Sequence, residues 1–262
     1  MKALDRRLHA YRADLADARL RSQFNAASYV DGKPGHIICG TAVLRSVPDD
    51  KCPIDSELLY GENISIFERK DGWAWVHAET DGYVGYLKES TIATKLAVPT
   101  HFVTTLRTFI YPEPNLKAPP LHLISMNSPL RLTEKEHTGF RLLEEGGWVV
   151  AGHLSKFGNQ DNDPCEIALE FNGTPYLWGG RTSLGLDCSA LVQMSLLRCG
   201  IKVPRDSDMQ EKVIARPTTC QNDLSGLRRG DLVYWTGHCG VWMDSSRFIH
   251  ANATDMAVTI QP

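Results

Sequence analysis

Twice between residues 41 and 154 the sequence runs through one grammar: a short apolar-alternating run, a glycine turn, a second run, another glycine turn and an aromatic run. In the first pass Ile64 and Ile66 alternate with polar neighbours, Asp71-Gly72 turns into residues 73–76, and Asp81-Gly82 turns into Tyr83-Val84-Gly85-Tyr86-Leu87. In the second, Leu130-Arg131-Leu132 leads through Gly139 to residues 140–143, and Gly146-Gly147 leads into Trp148-Val149-Val150. A period of two broken by turn dipeptides at this spacing suits strands. It predicts two small all-β barrels in tandem, residues 41–95 and 96–158.

The flanks differ. Leu4, Leu8, Tyr11, Leu15 and Ala18 recur at spacings of three and four, which predicts a short amphipathic helix over residues 4–20, a lead-in docked on the first barrel. Residues 26–40 hold Pro34 and three glycines and read as loop, so residues 1–40 form a helical and loop lead-in. Asn-Gln-Asp-Asn-Asp-Pro at 159–164 reads as a linker into a last domain, residues 159–262. There a helix is expected over 165–171 and another over 187–198, buried along a stripe of Leu191, Val192, Ser195, Leu196 and Cys199 and ended by Gly200. Strands follow at 231–235, 238–243 and 247–251, making the domain α+β.

Charge and cysteine usage narrow the function. Twenty-eight basic against thirty-one acidic residues give a net charge of −3, which offers no footprint for nucleic acid or an anionic membrane surface. The charged N-terminal stretch has no apolar signal core, and no transmembrane stretch is evident, so the cytoplasm is the expected compartment. Seven scattered cysteines then read as reduced thiols. The closest Cys/His pair, His238-Cys239, would point to opposite faces of a strand and cannot readily share one ion, so neither a metal nor another cofactor is expected.

Cys188 stands apart by position. It opens the helix after a glycine-rich loop and Asp187, where unpaired N–H groups and the helix dipole lower a thiol pKa. A free cysteine is more often only a small buried apolar residue; its place at a helix start raises Cys188 above that. The thiol needs a base. His238 opens a strand in a run of small residues, and His250 follows twelve residues later; a turn at 244–246 sets the two nearly opposite on antiparallel strands, on one face because twelve is even. His250 can then fix the tautomer of His238. His9, His77 and His101 enter no such arrangement.

The strings Gly173-Thr174-Pro175-Tyr176-Leu177-Trp178-Gly179-Gly180, Gly185-Leu186-Asp187-Cys188-Ser189-Ala190-Leu191-Val192-Gln193, Pro204-Arg205-Asp206-Ser207-Asp208-Met209-Gln210, Arg229-Gly230-Asp231-Leu232-Val233-Tyr234-Trp235 with His238, and Phe248-Ile249-His250-Ala251 resemble, in order, the NlpC-type cysteine peptidases of bacterial cell walls. The preceding barrels resemble the bacterial SH3-like domains found with them. The resemblance implies a papain-like α+β peptidase domain that cuts the bond between D-γ-glutamyl and a diamino acid, diaminopimelate or lysine, in peptidoglycan stem peptides. With barrels narrowing the cleft it further implies a requirement for a free N-terminal L-Ala, hence released muropeptides and a recycling role. Cys188 matches the nucleophile, His238 the base, His250 the orienting residue, and Tyr176 a tyrosine holding substrate or oxyanion beside the Cys188 N–H. Asp206 and Ser207 match positions that meet the free amine and the D-Glu carboxylate. Asp187 and Ser189, flanking the nucleophile, join the substrate-binding set, and Glu57 and Tyr83 of the first barrel are expected to wall the amine end. Asp206-Ser207 also reads as a helix N-cap, Glu57 as solvated surface and Tyr83 as barrel packing. Cys239 departs from the family's commoner valine and is a possible second reactive thiol. Competing readings are an amidase or acyltransferase on the same scaffold, a non-catalytic binder of wall peptides, and a redox protein, which would need a cysteine paired with Cys188. Oligomeric state leaves no trace in the sequence.

Overall fold

A computed structural model describes residues 4–94, 98–214, 224 and 226–262. The first β-unit is a five-stranded antiparallel sheet flanked by the two-stranded ribbon Thr41–Leu44 and Ser56–Leu59. Its core is Ile37, Leu44, Leu58, Ile64, Val76 and Leu87, supplied by alternate positions of the strands as the period-two pattern requires. The second unit pairs a five-stranded sheet with a three-stranded one around Val103, Ile110, Ile124, Leu143 and Val149.

Two expectations for the first forty residues are corrected. Residues 4–20 are not a helix: the segment turns at 6–8, bridges Tyr11 to Ala16, and gives the strand Leu15–Asp17 and the 3-10 turn Ala18–Leu20. The side chain of Asp17 takes the Arg19 N–H, a local bond that competes with helical continuation. Its apolar residues face the barrel instead, Leu15 packing with Phe67, Trp75 and Val84. Nor is 26–40 all loop. Ser28–Val30 runs parallel to Leu15–Asp17, and Lys33–Ile37 is a strand of the first sheet, paired with Asn63–Lys70. Pro34 is tolerated because its other neighbour, Ile92–Ala93, pairs only with His36 and Ile37. The first barrel's sheet therefore begins in the segment read as lead-in.

The last domain has helices α1 (Pro164–Glu170), α2 (Cys188–Arg198) and α3 (Ser207–Ile214) and an antiparallel meander β1 (Leu232–Trp235), β2 (His238–Trp242), β3 (Phe248–Asn252) and β4 (Ala257–Gln261). The three expected strands are present within a residue or two, and β4 is added. α2 is buried on nearly every face from Cys188 to Leu196, rather than along one stripe, because β2, α1 and the barrels all pack against it. It ends as expected: Gly200 at φ +79° lets Ile201 N–H reach Leu196 O and Gly200 N–H reach Leu197 O.

Candidate active site

Asp187 caps α2, its carboxylate accepting the Ala190 N–H at 2.9 Å, a cap worth about 1 kcal/mol. Arg205, almost wholly buried, grips the same carboxylate through two nitrogens at 2.9 and 2.7 Å and also donates to Ser189 Oγ and Gly180 O. Capping accounts for the amides of Ala190 and Leu191 and leaves those of Cys188 and Ser189 at the positive end of the helix. Cys188 is 7% exposed there and lines a cavity of about 250 Å³.

On the facing sheet, His238 Nε2 and His250 Nδ1 are 2.7 Å apart. The register pairs Val241 with Ile249 and Trp242 with Phe248, which sets Gly240 opposite His250 and His238 one step along the diagonal. Gly240 makes this possible, since a Cβ there would lie 3.1 Å from His250 Cβ and 2.9 Å from Ile249 O. Burial, then the charge of His238, pushes His250 below the ordinary imidazole value, so it is neutral at pH 7. A neutral His250 Nδ1 can accept an Nε2–H from His238, leaving the other ring nitrogen of His238 for the thiol. The Asn252 amide lies 3.3 Å from the far nitrogen of His250.

The Cys188 thiol is pulled down to about 5, chiefly by the neighbouring Cys239 thiol and then by His238, against burial and the charge of Asp187. Cys239 is fully buried in the core that holds Cys188, and its own thiol is pushed far up. The thiol that neighbours Cys188 is Cys239, brought in from the sheet. Its raised pKa makes it a donor rather than a second reactive thiolate.

Residues 173–262 match the NlpC/P60 family model, and residues 44–92 match the bacterial dipeptidyl-peptidase SH3 domain model. The chain carries an NlpC/P60 cysteine peptidase domain. A Bacillus cereus protein named gamma-D-glutamyl-L-lysine dipeptidyl-peptidase is 24% identical over 240 residues, 80% of this chain and 70% of that one. Dipeptidyl-peptidase 6 of Lysinibacillus sphaericus is 23% identical, covering 82% of this chain and 86% of its own. The probable endopeptidase NlpC homolog of Haemophilus influenzae is 37% identical over 103 residues. The crystal structure of an NlpC/P60 family protein from Bacillus cereus superposes with TM-score 0.73 over 87% of this chain and 94% of that one, at 22% identity, so the fold is shared.

In this NlpC/P60 domain the cavity beside Cys188 is lined by Tyr176, Asp187, Ser189, Asp206 and Ser207 of the domain itself and by Tyr83 of the first barrel. Burial, then the nearby thiol, pushes the Tyr176 phenol up to about 12, which keeps it a hydroxyl donor. Asp187 and Ser189 border the cavity, but their polar side-chain atoms are engaged by Arg205 and the α2 cap, so they shape the wall. Asp206 sits at the start of α3, its carbonyl taking the Gln210 N–H, while its carboxylate turns away to the Tyr83 hydroxyl at 3.1 Å. Of the residues expected to bind substrate, Glu57 does not line the cavity. It is buried between domains, accepting the Arg181 N–H at 2.9 Å, and Asp55, two residues earlier, lines the cavity instead.

Sequence reasoning passed over Arg205, Asn252, Asp55 and Arg7. Arg205 stood inside a quoted string, and a basic residue 18 positions from an acidic cap carries no signal until the fold buries both. Asn252 shares the strand face of His250 by the same even spacing that found the histidines. A larger cavity of about 410 Å³ lies where the two barrels meet the end of α2, around Glu62, Phe102, Pro129, Phe157 and Leu197. Among the described residues no group of three His, Cys, Asp or Glu side chains could hold a metal ion, and no helix is long and apolar enough to cross a membrane.

Proposed function

We propose that this peptidase hydrolyses the bond between D-γ-glutamyl and a diamino acid in peptidoglycan-derived peptides with a free N-terminal L-Ala, acting on released muropeptides in the cytoplasm. The observation that carries the reading is the meeting of Tyr83 of the first barrel and Asp206 of the peptidase domain in the wall of the small cavity that Cys188 also lines, where Asp206 can take a substrate ammonium. A carboxylate facing an ammonium in a narrow cavity forms a charge-assisted bond that a blocked or longer peptide cannot make. The names of the Bacillus cereus and Lysinibacillus sphaericus relatives agree with this. We read the last domain as papain-like and the second β-unit as a second SH3-like barrel.

In this reading the Cys188 thiolate bonds to the γ-carbonyl carbon, and the resulting oxyanion is met by the Cys188 N–H and the Tyr176 hydroxyl. As the C–N bond breaks, His238, oriented by His250, hands its proton to the leaving amine of the diamino acid. Water, giving a proton to His238, then attacks the thioester carbon; the C–S bond breaks and the γ-carboxylate leaves. Ser207 is assigned to the D-Glu carboxylate.

Mass spectrometry of L-Ala-γ-D-Glu-meso-diaminopimelate incubated with the wild type and with Cys188→Ala tests the reaction: L-Ala-D-Glu appears with the wild type only. No release by folded wild type would sink it. The free-amine requirement is tested by N-acetylating the same tripeptide; cleavage at an equal rate would remove the role given to Asp206.

A further inference from the structure

The lead-in, read from sequence as a docked segment without function, reaches the cavity through Arg7. Its Arg7 guanidinium donates to Asp206 Oδ2 at 2.8 Å and to both oxygens of Asp208 at 2.9 and 3.1 Å, across about two hundred residues of chain. The arginine is itself held on three sides. Asp5 takes its Nε and Nη2 and its backbone N–H, and the Arg7 carbonyl accepts the Val84 N–H at 2.8 Å, next to Tyr83. A fork fixed in this way behaves as part of the site rather than as a loose surface side chain.

The charges around it give it a task. Asp55, Asp206 and Asp208 all line the cavity, where like charges at close range disfavour one another's ionised form. Burial and the charge of Asp206 raise Asp55, and burial raises Asp206, opposed by Arg205 behind it and Arg7 in front. Lys212 takes part of the charge of Asp208. Tyr83, its phenol pushed up and so protonated, donates to the same Oδ2 as Arg7, so among the described residues Oδ1 is the Asp206 carboxylate oxygen left for a ligand.

We infer that Arg7 is a positioning residue for substrate recognition: it holds the Asp206 carboxylate charged and turned so that Oδ1 can accept the substrate's terminal ammonium. The inference rests on the free-amine reading above. It makes the lead-in a third contributor to the amine end, with the first barrel and the peptidase domain. The role concerns binding and leaves the thiol chemistry alone.

Steady-state kinetics of Arg7→Met and Arg7→Lys on free and N-acetylated L-Ala-γ-D-Glu-diaminopimelate test it. Arg7→Met is expected to raise KM for the free tripeptide by about tenfold with kcat little changed, since a lost charge-assisted contact remote from the reacting carbonyl weakens binding alone. Its KM should rise further as pH is lowered than the wild type's does, because an Asp206 that has lost Arg7 takes up a proton more readily. Arg7→Lys, which keeps the charge but not the fork, should recover part of the loss and serves if the methionine variant does not fold. In an Asp206→Asn background the Arg7 substitution should add nothing. An unchanged KM, a fall confined to kcat, or full additivity with Asp206→Asn overturns the inference while leaving the free-amine reading in place. Equal cleavage of free and acetylated peptide by the wild type removes that reading and the inference with it.

Discussion

Two stretches of chain meet at Cys188: Asp187 caps the helix that Cys188 opens, and β2 brings in His238, the proposed base, and one residue on Cys239, which exerts the strongest single pull on the thiol. A donor S–H stabilises the thiolate, so the folded thiol titrates near 5, well below the ordinary value of about 8.5. Iodoacetamide alkylation of Cys188, followed by mass spectrometry, should therefore stay fast at neutral pH and fall only as pH drops through about 5. In Cys239→Val the donor is gone and the midpoint should move up, since only His238 and the helix end remain. A wild-type midpoint near that of a free thiol would show that the neighbours do not act as described. Cys188, His238 and His250 were legible because each sits at a position with a geometric meaning: a helix start, a strand start, an even offset across a turn. Arg205 and Arg7 were not, because a long cation's partner is chosen by the fold.

At the level of elements, the β2–β3 register decides whether two histidines twelve residues apart can touch. The turn at 244–246 was placed correctly, yet it puts His238 opposite Asn252 and Gly240 opposite His250, so the imidazoles meet diagonally across the space a side chain at 240 would fill. Gly240→Ala should displace His250, since the contacts at 2.9 and 3.1 Å are to backbone and to a Cβ that cannot rotate away. Because a misplacement of about 1 Å can cost about 10²-fold, kcat should fall by about tenfold or more with KM nearly unchanged. Unaltered kcat would show that the pair tolerates another geometry. The lead-in teaches the reverse lesson. Its three-and-four spacing is real, but the apolar residues satisfy a barrel edge instead of a helix face, and Asp17 closes a local turn that periodicity cannot weigh.

Across the whole molecule, the peptidase domain is riveted to the first barrel through Arg181, 1% exposed. It forms a forked ion pair with Glu62 at 3.0 and 3.1 Å and donates to the Glu57 carbonyl at 2.7 Å. Gln193 to Asp81 and Arg205 to Ser56 add to the same interface, and Asn127 ties the second barrel to the Met194 carbonyl of α2. Removing one partner of a buried pair strands the other charge, so Arg181→Met should lower stability by about 3–5 kcal/mol in denaturant unfolding. Because the same interface carries Asp55 and Tyr83 to the cavity, KM for the free-amine tripeptide should also rise. A stability loss below about 1 kcal/mol would place the pair among ordinary surface ion pairs. This rivet also explains the misplaced Glu57: its carboxylate looks like a surface group in Ser56-Glu57-Leu58, and only the incoming peptidase domain turns it into an anchor.

Local pattern was enough to place the glycine turns and most strands of the two β-units, though not the strand at 33–37 that opens the first, together with the helix that begins at Cys188 and the strands that carry both histidines, because strand period, helix caps and glycine turns act within a few residues. The cavity could not be read that way. Arg7, Asp55, Tyr83 and Asp206 meet there from three separate parts of the chain, and which carboxylate faces the ligand and which is spent on an anchor depends on desolvation and on partners that only the packed domains bring together.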